Sequence, residues 1–465
     1  MIWDMNQYSA NMAVITEDGY QVTYLELQEA GDELYASISK RCLVFNMCDN
    51  VLGSLLGYTA FLNHRIVPAM LKADLDQELF CSLLETYQPA YVWAPENQTI
   101  ILNKGEVVYK KWGYQLIRTG FENIELYDEL ALLLTTSGST GSPKFVRQSY
   151  KNILANTESI VEYLHLDNKE RPITTLPMNY TYGLSIINSH LIVGATILLT
   201  NKGLMQKEFW DFFKEQRATS FGGVPYTYEM LKRLRLFRMD IPSLSTMTQA
   251  GGKLPVELHK EYAEWAQNTG RKFVVMYGQC EATARMAYLP AEKSMEKAGS
   301  MGIAIPGGRF SLINTDGSII EEAGIAGELI YYGENVTLGY AQNRSDLAMG
   351  DERHGKLETG DMARMDEEGY FYIVGRKKRF LKIFGNRVNL DEAEQLLKAR
   401  FPEVECACAG VDDCLTSYTT DDSSQREMLE YLAHKMGLNS AAFRTKYLPK
   451  IPKNESGKTL YQELK

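Results

Sequence analysis

Across residues 1–225 short apolar runs alternate with stretches of helical period, and this alternation restricts the fold more than any other feature. Residues 23–38 (TYLELQEAGDELYASI) space their apolar side chains by three and four, and open on a Thr able to cap a helix. Residues 50–62, the segment DQELFCSLLETY and residues 149–165 also read as helices. Residues 66–70, AYVWA (90–94) and ALLLT (131–135) read as buried strands. Strands interleaved with helices predict a mostly parallel sheet covered on both faces. Residues 300–375 break the pattern. There RFSLIN, GELIYYG and GYFYIVG are separated by turns such as Asp316-Gly317 and Glu368-Gly369, predicting an antiparallel, barrel-like subdomain. A boundary is expected in the charged segment GRKKRF (375–380).

At 465 residues, the chain is long enough for two to four units of roughly 100–200 residues each. Lys+Arg 49 against Asp+Glu 59 gives a net charge of −10, which argues against a nucleic-acid or anionic-membrane partner. Residues 378–465 are close to neutral, so the acidity lies in what precedes them. The cysteines (42, 48, 81, 280, 406, 408 and 414) form no CxxC pair and do not cluster with the histidines, disfavouring a zinc site or disulfide framework. Reduced thiols fit a cytoplasmic setting. The N-terminus has no basic start followed by an apolar stretch, and runs such as 191–200 fall short of the ~20 residues of a membrane span. A soluble cytoplasmic enzyme is expected.

The segment LLLTTSGSTGSPK (132–144) carries the most chemistry. A strand entering a loop of Gly, Ser and Thr leaves backbone N–H groups and hydroxyls free to wrap phosphate oxygens, and Lys144 adds positive charge. It is not a Walker A loop, which needs Gly, four residues, then Gly-Lys-Ser/Thr. The one Gly-Lys-Thr is Gly457-Lys458-Thr459, and Pro452 stands where the first Gly would be.

TTSGSTGSPK resembles the phosphate loop of the acyl-adenylate-forming superfamily of acyl- and aryl-CoA synthetases, luciferases and peptide-synthetase adenylation domains. Similar segments follow in the family's order: LPMNYTYGL (176–184), QAGGKLP (249–255), MYGQCEAT (276–283), GELIYYGENVTLGY (327–340), ETGDMARMDEEGYFYIVGRKKRFLKIFGNRVNLDEAE (358–394) and PKNESGKTLYQEL (452–464). TYLELQEA is a weaker match nearer the N-terminus. The resemblance implies a large N-terminal AMP-binding domain over residues 1–377, with subdomains at about 1–175, 176–300 and 301–377. A small, mobile α+β lid domain would occupy residues 378–465.

The implied activity is ATP-dependent: a carboxylic acid becomes acyl-AMP with release of pyrophosphate, and its acyl group then passes to a pantetheine thiol of coenzyme A or an acyl carrier protein. The loop residues Thr136, Ser137, Gly138, Ser139, Thr140 and Gly141, with Lys144, would hold phosphate. Glu281 would associate with Mg²⁺, a hard cation suited to carboxylate oxygen. Tyr277, Gly278 and Cys280 would line the nucleotide, with Gly251 and Gly252 letting the backbone approach adenine. Asp361 would accept from ribose hydroxyls, with Arg376 near ribose and phosphate. Lys458 would bridge carboxylate and α-phosphate, and Lys378, two positions after Arg376, would be the hinge for the second half-reaction. After that rotation the loop at 382–388 would replace Lys458.

Three residues depart from the family pattern: Cys280 for Thr before the acidic residue, Phe145 for Gly after the loop lysine, and Tyr180 for a His common in acyl and aryl members. The acid pocket is expected from Asn179, Tyr180, Tyr182, Gly222 and Gly223. No acid occurs in 179–182 to hold a substrate ammonium, which favours a small or medium acid with a neutral tail over an α-amino acid. A stand-alone amino-acid-adenylating enzyme and a nucleotide-binding homologue without catalysis remain the alternatives.

Overall fold

The structure is a computed structural model describing residues 2–98, 105–135, 144–314, 316–383, 386–453 and 459–464. Its contacts divide the chain into two units, one of Met1–Arg309 with Tyr331–Leu357 and one of Phe310–Ile330 with Glu358–Lys465.

The first unit is built on an eight-stranded sheet. From one edge the strands run Gly339–Ala341, Phe145–Ser149, Leu130–Thr135, Val67–Lys72, Leu43–Cys48, Tyr91–Pro95, Tyr114–Arg118 and Glu106–Lys111. The four central strands, from Leu130–Thr135 to Tyr91–Pro95, pair in parallel. Leu43–Cys48 is buried at every position, as a strand covered on both faces requires. The helix Leu52–Asn63 is apolar nearly all round and lies inside the core.

Helix starts carry side-chain caps, among them the one expected at Thr23. Thr23 and Glu26 form a capping box ahead of Tyr24–Ala36, and Ser149 and Asn152 form one ahead of Tyr150–Leu164. The mostly parallel reading holds at the sheet centre and gives way at both edges. One edge hairpin turns at Trp112-Gly113, both with positive φ, and that two-residue turn makes its strands antiparallel.

A second sheet in this unit aligns Ser220–Gly223, Thr246–Gln249 and Lys272–Tyr277 in parallel, then adds two short antiparallel strands at Ala287–Tyr288 and Ile303–Ala304. The C-terminal ends of these three parallel strands carry Gly222 and Gly223, Gln249, and Tyr277, which places them along one sheet end.

In the second unit, Lys356–Met365 pairs antiparallel with Phe371–Arg376 within a five-stranded sheet, in the region where the sequence predicts antiparallel structure. The C-terminal portion packs helices Leu390–Arg400 and Gln425–Met436 on strands Cys406–Val411, Cys414–Thr419 and Phe443–Tyr447, around Leu397, Cys408, Met428 and Phe443. Among the described residues no helix is long and apolar enough to cross a membrane.

Candidate functional site

Strand Lys272–Tyr277 delivers Tyr277 and Gly278 to a one-turn 3-10 helix, Cys280–Ala282, that carries Glu281. Gly278 is required by close approach, since a Cβ there would stand 1.8 Å from the Ala284 carbonyl oxygen. Thr283 ends the turn at φ 65, a strained conformation for a β-branched residue. Neighbours hold it there: its hydroxyl donates to Asn335 O (2.7 Å), and its carbonyl accepts from the Thr181 hydroxyl and from Gln148.

Glu281 is fixed at both ends. Its carbonyl oxygen accepts from Thr337 N (3.0 Å), Thr337 Oγ1 (2.9 Å) and Arg353 Nη1 (3.0 Å). Its carboxylate Oε1 accepts from the Tyr340 hydroxyl at 2.6 Å. Tyr340 in turn lies under two cations, with Lys144 Nζ 3.7 Å and Arg353 Cζ 4.8 Å from its ring centroid. Burial, reinforced by the Glu281 charge, pushes the Tyr340 hydroxyl up to about 12, so it remains a neutral donor at ordinary pH.

Strand register explains this meeting of distant residues. Phe145–Ser149 begins directly after Lys144 and pairs with Gly339–Ala341, placing Tyr340 opposite Val146 and Ala341 opposite Phe145. A carboxylate and two cations around one phenol suit an anionic phosphate ligand together with a hard cation.

On the strand paired with Lys272–Tyr277, Gln249 donates to Ala250 O (3.2 Å) and Gly252 O (2.9 Å), tightening the Gly-Gly turn. Gly251 has φ 82, and a Cβ there would meet the Tyr180 hydroxyl at 2.6 Å. Tyr180 and Tyr182 meet edge to face at 6.4 Å, and the Tyr182 hydroxyl shares a 2.7 Å hydrogen bond with Thr248 Oγ1. A Cβ on Gly222 would stand 2.9 Å from that same hydroxyl, and one on Gly223 would meet Thr227. Burial pushes Tyr180 up to about 12, with a smaller contribution from Cys280. Asn179 Oδ1 is buried with no hydrogen-bond partner among the described residues, an acceptor awaiting a donor.

A family model described as AMP-binding enzyme matches residues 3–341. This chain belongs to the AMP-binding enzyme family. Among curated relatives, the long-chain-fatty-acid–CoA ligase of Bacillus subtilis (strain 168) is 30% identical over 289 residues, 61% of this chain and 50% of that protein. The 2-succinylbenzoate–CoA ligase of Bacillus mycoides (strain KBAB4) is 27% identical over 351 residues, 73% and 70% of the two chains. The first curated relatives are thus matched over only about half to three fifths of their own length. Among solved structures, O-succinylbenzoate coenzyme A synthetase (MenE) from Bacillus subtilis in complex with AMP shares the fold, with a TM-score of 0.80 and 23% identity over 99% of this chain and 97% of that one.

In this AMP-binding enzyme the structure brings together Lys144 and Glu281, and separately Tyr180, Tyr182, Gly222 and Gly251. Within the second unit it pairs Asp361 with Arg376: the two face each other across strands, and Arg376 Nε lies 2.8 Å from Asp361 Oδ1. Asp361 is only 3% exposed, and its N–H donates to Thr359 Oγ1. Lys378 sits in the short 3-10 turn Lys377–Arg379. Thr136, Ser137, Gly138, Ser139, Thr140, Gly141 and Lys458 lie outside the described residues. Tyr340 and Arg353 escaped the sequence reading as site residues. Tyr340 ends one of the recognised segments, but nothing in spacing tied it to a carboxylate 59 positions away.

Proposed function

We propose that this chain is an ATP-dependent acid–thiol ligase. The Glu281–Tyr340–Lys144 arrangement carries the reading, because it assembles the charges needed at an α-phosphate in a chain of the AMP-binding family. In the first half-reaction a substrate carboxylate oxygen attacks the α-phosphorus of ATP, the bond to the pyrophosphate leaving group breaks, and acyl-AMP forms. In the second, a pantetheine thiol loses its proton to solvent and attacks the acyl carbon, and AMP leaves.

Two anions meet in the first step, so catalysis depends on positioning and charge neutralisation. Lys144 and Arg353 supply positive charge, and Tyr340 orients Glu281. Glu281 fits Mg²⁺, which binds through one or two carboxylates and substrate phosphates rather than an all-protein cage. When bound, Mg²⁺ supplies charge neutralisation at the phosphates. Asp361 accepts ribose hydroxyls, Arg376 stands by ribose and phosphate, and Tyr277 lies against adenine. Lys458 bridges carboxylate and α-phosphate, and Lys378 is the hinge between the half-reactions. The CoA-ligase names of the relatives support coenzyme A as acceptor, with a carrier phosphopantetheine as the other arm of the test.

The test is a carboxylic-acid screen by pyrophosphate release, repeated with coenzyme A and with a phosphopantetheinylated carrier. Lys458→Ala is expected to lower adenylate formation by ~10²–10³ and spare thioester formation from supplied acyl-adenylate. Lys378→Pro, which restricts φ, is expected to do the reverse. Equal loss of both half-reactions in both variants would contradict the two-step assignment.

A further inference from the structure

Arg285 lies four residues beyond Glu281 and is only 3% exposed, yet no carboxylate of a described residue pairs with it. Its Nε donates to Ser185 Oγ (3.2 Å), and Nη1 donates to Tyr163 OH (3.0 Å) and approaches Met276 Sδ (3.3 Å). Nη2 donates to no described residue. The guanidinium sits 5.3 Å from the centre of the Tyr182 ring, against the same tyrosine that packs with Tyr180 and closes on Gly222.

The backbone beneath it is held firmly. Asn156 both donates to Arg285 O (2.8 Å) and accepts from Arg285 N (3.4 Å), and Asn335 Nδ2 donates to the same carbonyl (3.1 Å). The described neighbours supply no hidden anion. Burial holds the Tyr163 and Tyr182 hydroxyls above their ordinary range even though the Arg285 charge pulls both down. His190, which also feels that charge, is driven down to about 4 chiefly by burial and stays neutral. A buried guanidinium whose hydrogen-bond partners among the described residues are all neutral is costly unless an anion completes it. A protein that fixes such a group rigidly beside its acid pocket has built half of an ion pair.

We propose that the missing half arrives with the substrate: the acid activated by this enzyme is a dicarboxylic acid, whose far carboxylate accepts from Nη2 of Arg285 while its near carboxylate reacts. This rests on the ligase reading above. The lack of an acid in residues 179–182 still argues against a substrate ammonium, but the buried cation replaces the neutral tail by an anionic one.

The experiment measures pyrophosphate release by the full chain with linear and aromatic dicarboxylic acids, each against its own monoamide. The wild-type protein is expected to prefer the dicarboxylic member of the best pair by ~10²-fold in kcat/KM. Arg285→Gln is expected to lose that preference, falling ~10²-fold on the dicarboxylic acid and only a few-fold on the monoamide. Binding of a fluorescent ATP analogue and the thermal transition report whether the variant is folded. Release with monoamides but not with dicarboxylic acids overturns the inference and leaves the ligase reading standing. Equal loss on both members in folded Arg285→Gln, the mark of a merely structural cation, overturns it too. Release with no acid of any kind sinks the ligase reading and this inference with it. Should Arg285→Gln fail to fold, the wild-type panel alone decides between the first outcomes.

Discussion

Tyr340 holds Glu281 with a hydroxyl and offers Lys144 a ring, and one substitution separates the two contributions. Tyr340→Phe keeps the ring under the lysine and deletes the donor to Oε1. A hydrogen bond to a charged group contributes about 1.5–3 kcal/mol, so pyrophosphate exchange should slow by about 10-fold or more, while Glu281→Gln should cost ~10²–10³. An unchanged exchange rate in folded Tyr340→Phe would show that the phenol does not orient the carboxylate. Glu281 was legible because its motif is local: strand, Gly, turn and acid fall within a few residues. Tyr340 was not, because its partnership is made by strand pairing between residues almost 200 positions apart. Arg285 left a usable signal. A lone Arg inside the apolar run ATARMAYL is a charge where a buried strand is due, and such a charge asks for a partner.

The strand Phe145–Ser149 is where local sequence and tertiary order meet. Its Arg147 is fully buried, bonds Glu352, and donates from Nε to Tyr340 O (3.0 Å) and from Nη1 to Gly350 O (3.2 Å). Arg147 thereby ties the short strand Gly339–Ala341, and Tyr340 on it, to the strand that follows Lys144. Arg147→Met removes the charge and leaves buried carbonyls without donors. Because Glu352 remains half-exposed, the expected loss is about 3 kcal/mol, at the lower end for a broken buried pair, read as a lower thermal transition of the first unit. A loss below ~0.5 kcal/mol, the usual range for an ordinary surface change, would refute that role. At this scale the helices were the most readable elements, since Thr23 with Glu26 and Ser149 with Asn152 announce their own starts. The antiparallel edges were not. A Trp-Gly turn lacks the Asn-Gly or Asp-Gly signature, and a three-residue strand has too few side chains to show a period.

For the whole molecule, a net charge of −10 says little about acid stability, whereas two buried histidines bear on it directly in the first unit. His190 contacts the Ile186 carbonyl through Nδ1 at 2.7 Å, while its Nε2 has no partner among the described residues. His259 bonds Ser294 Oγ through Nε2 at 2.9 Å and accepts from Gly299 N at Nδ1 (3.2 Å). Burial pushes each down to about 4, with the Arg285 charge adding to the effect at His190. A folded-state value below the unfolded one near 6.5 means that the unfolded chain binds more protons. The neutral imidazoles therefore contribute fully above about pH 6.5, and their contribution is lost as pH falls from there towards 4. Each is worth on the order of 3 kcal/mol over that window. The thermal transition of the first unit should fall steeply between pH 6.5 and 4, and His259→Gln should make that fall shallower while lowering stability at neutral pH. If the variant keeps the wild-type slope, carboxylates rather than buried imidazoles set the acid limit.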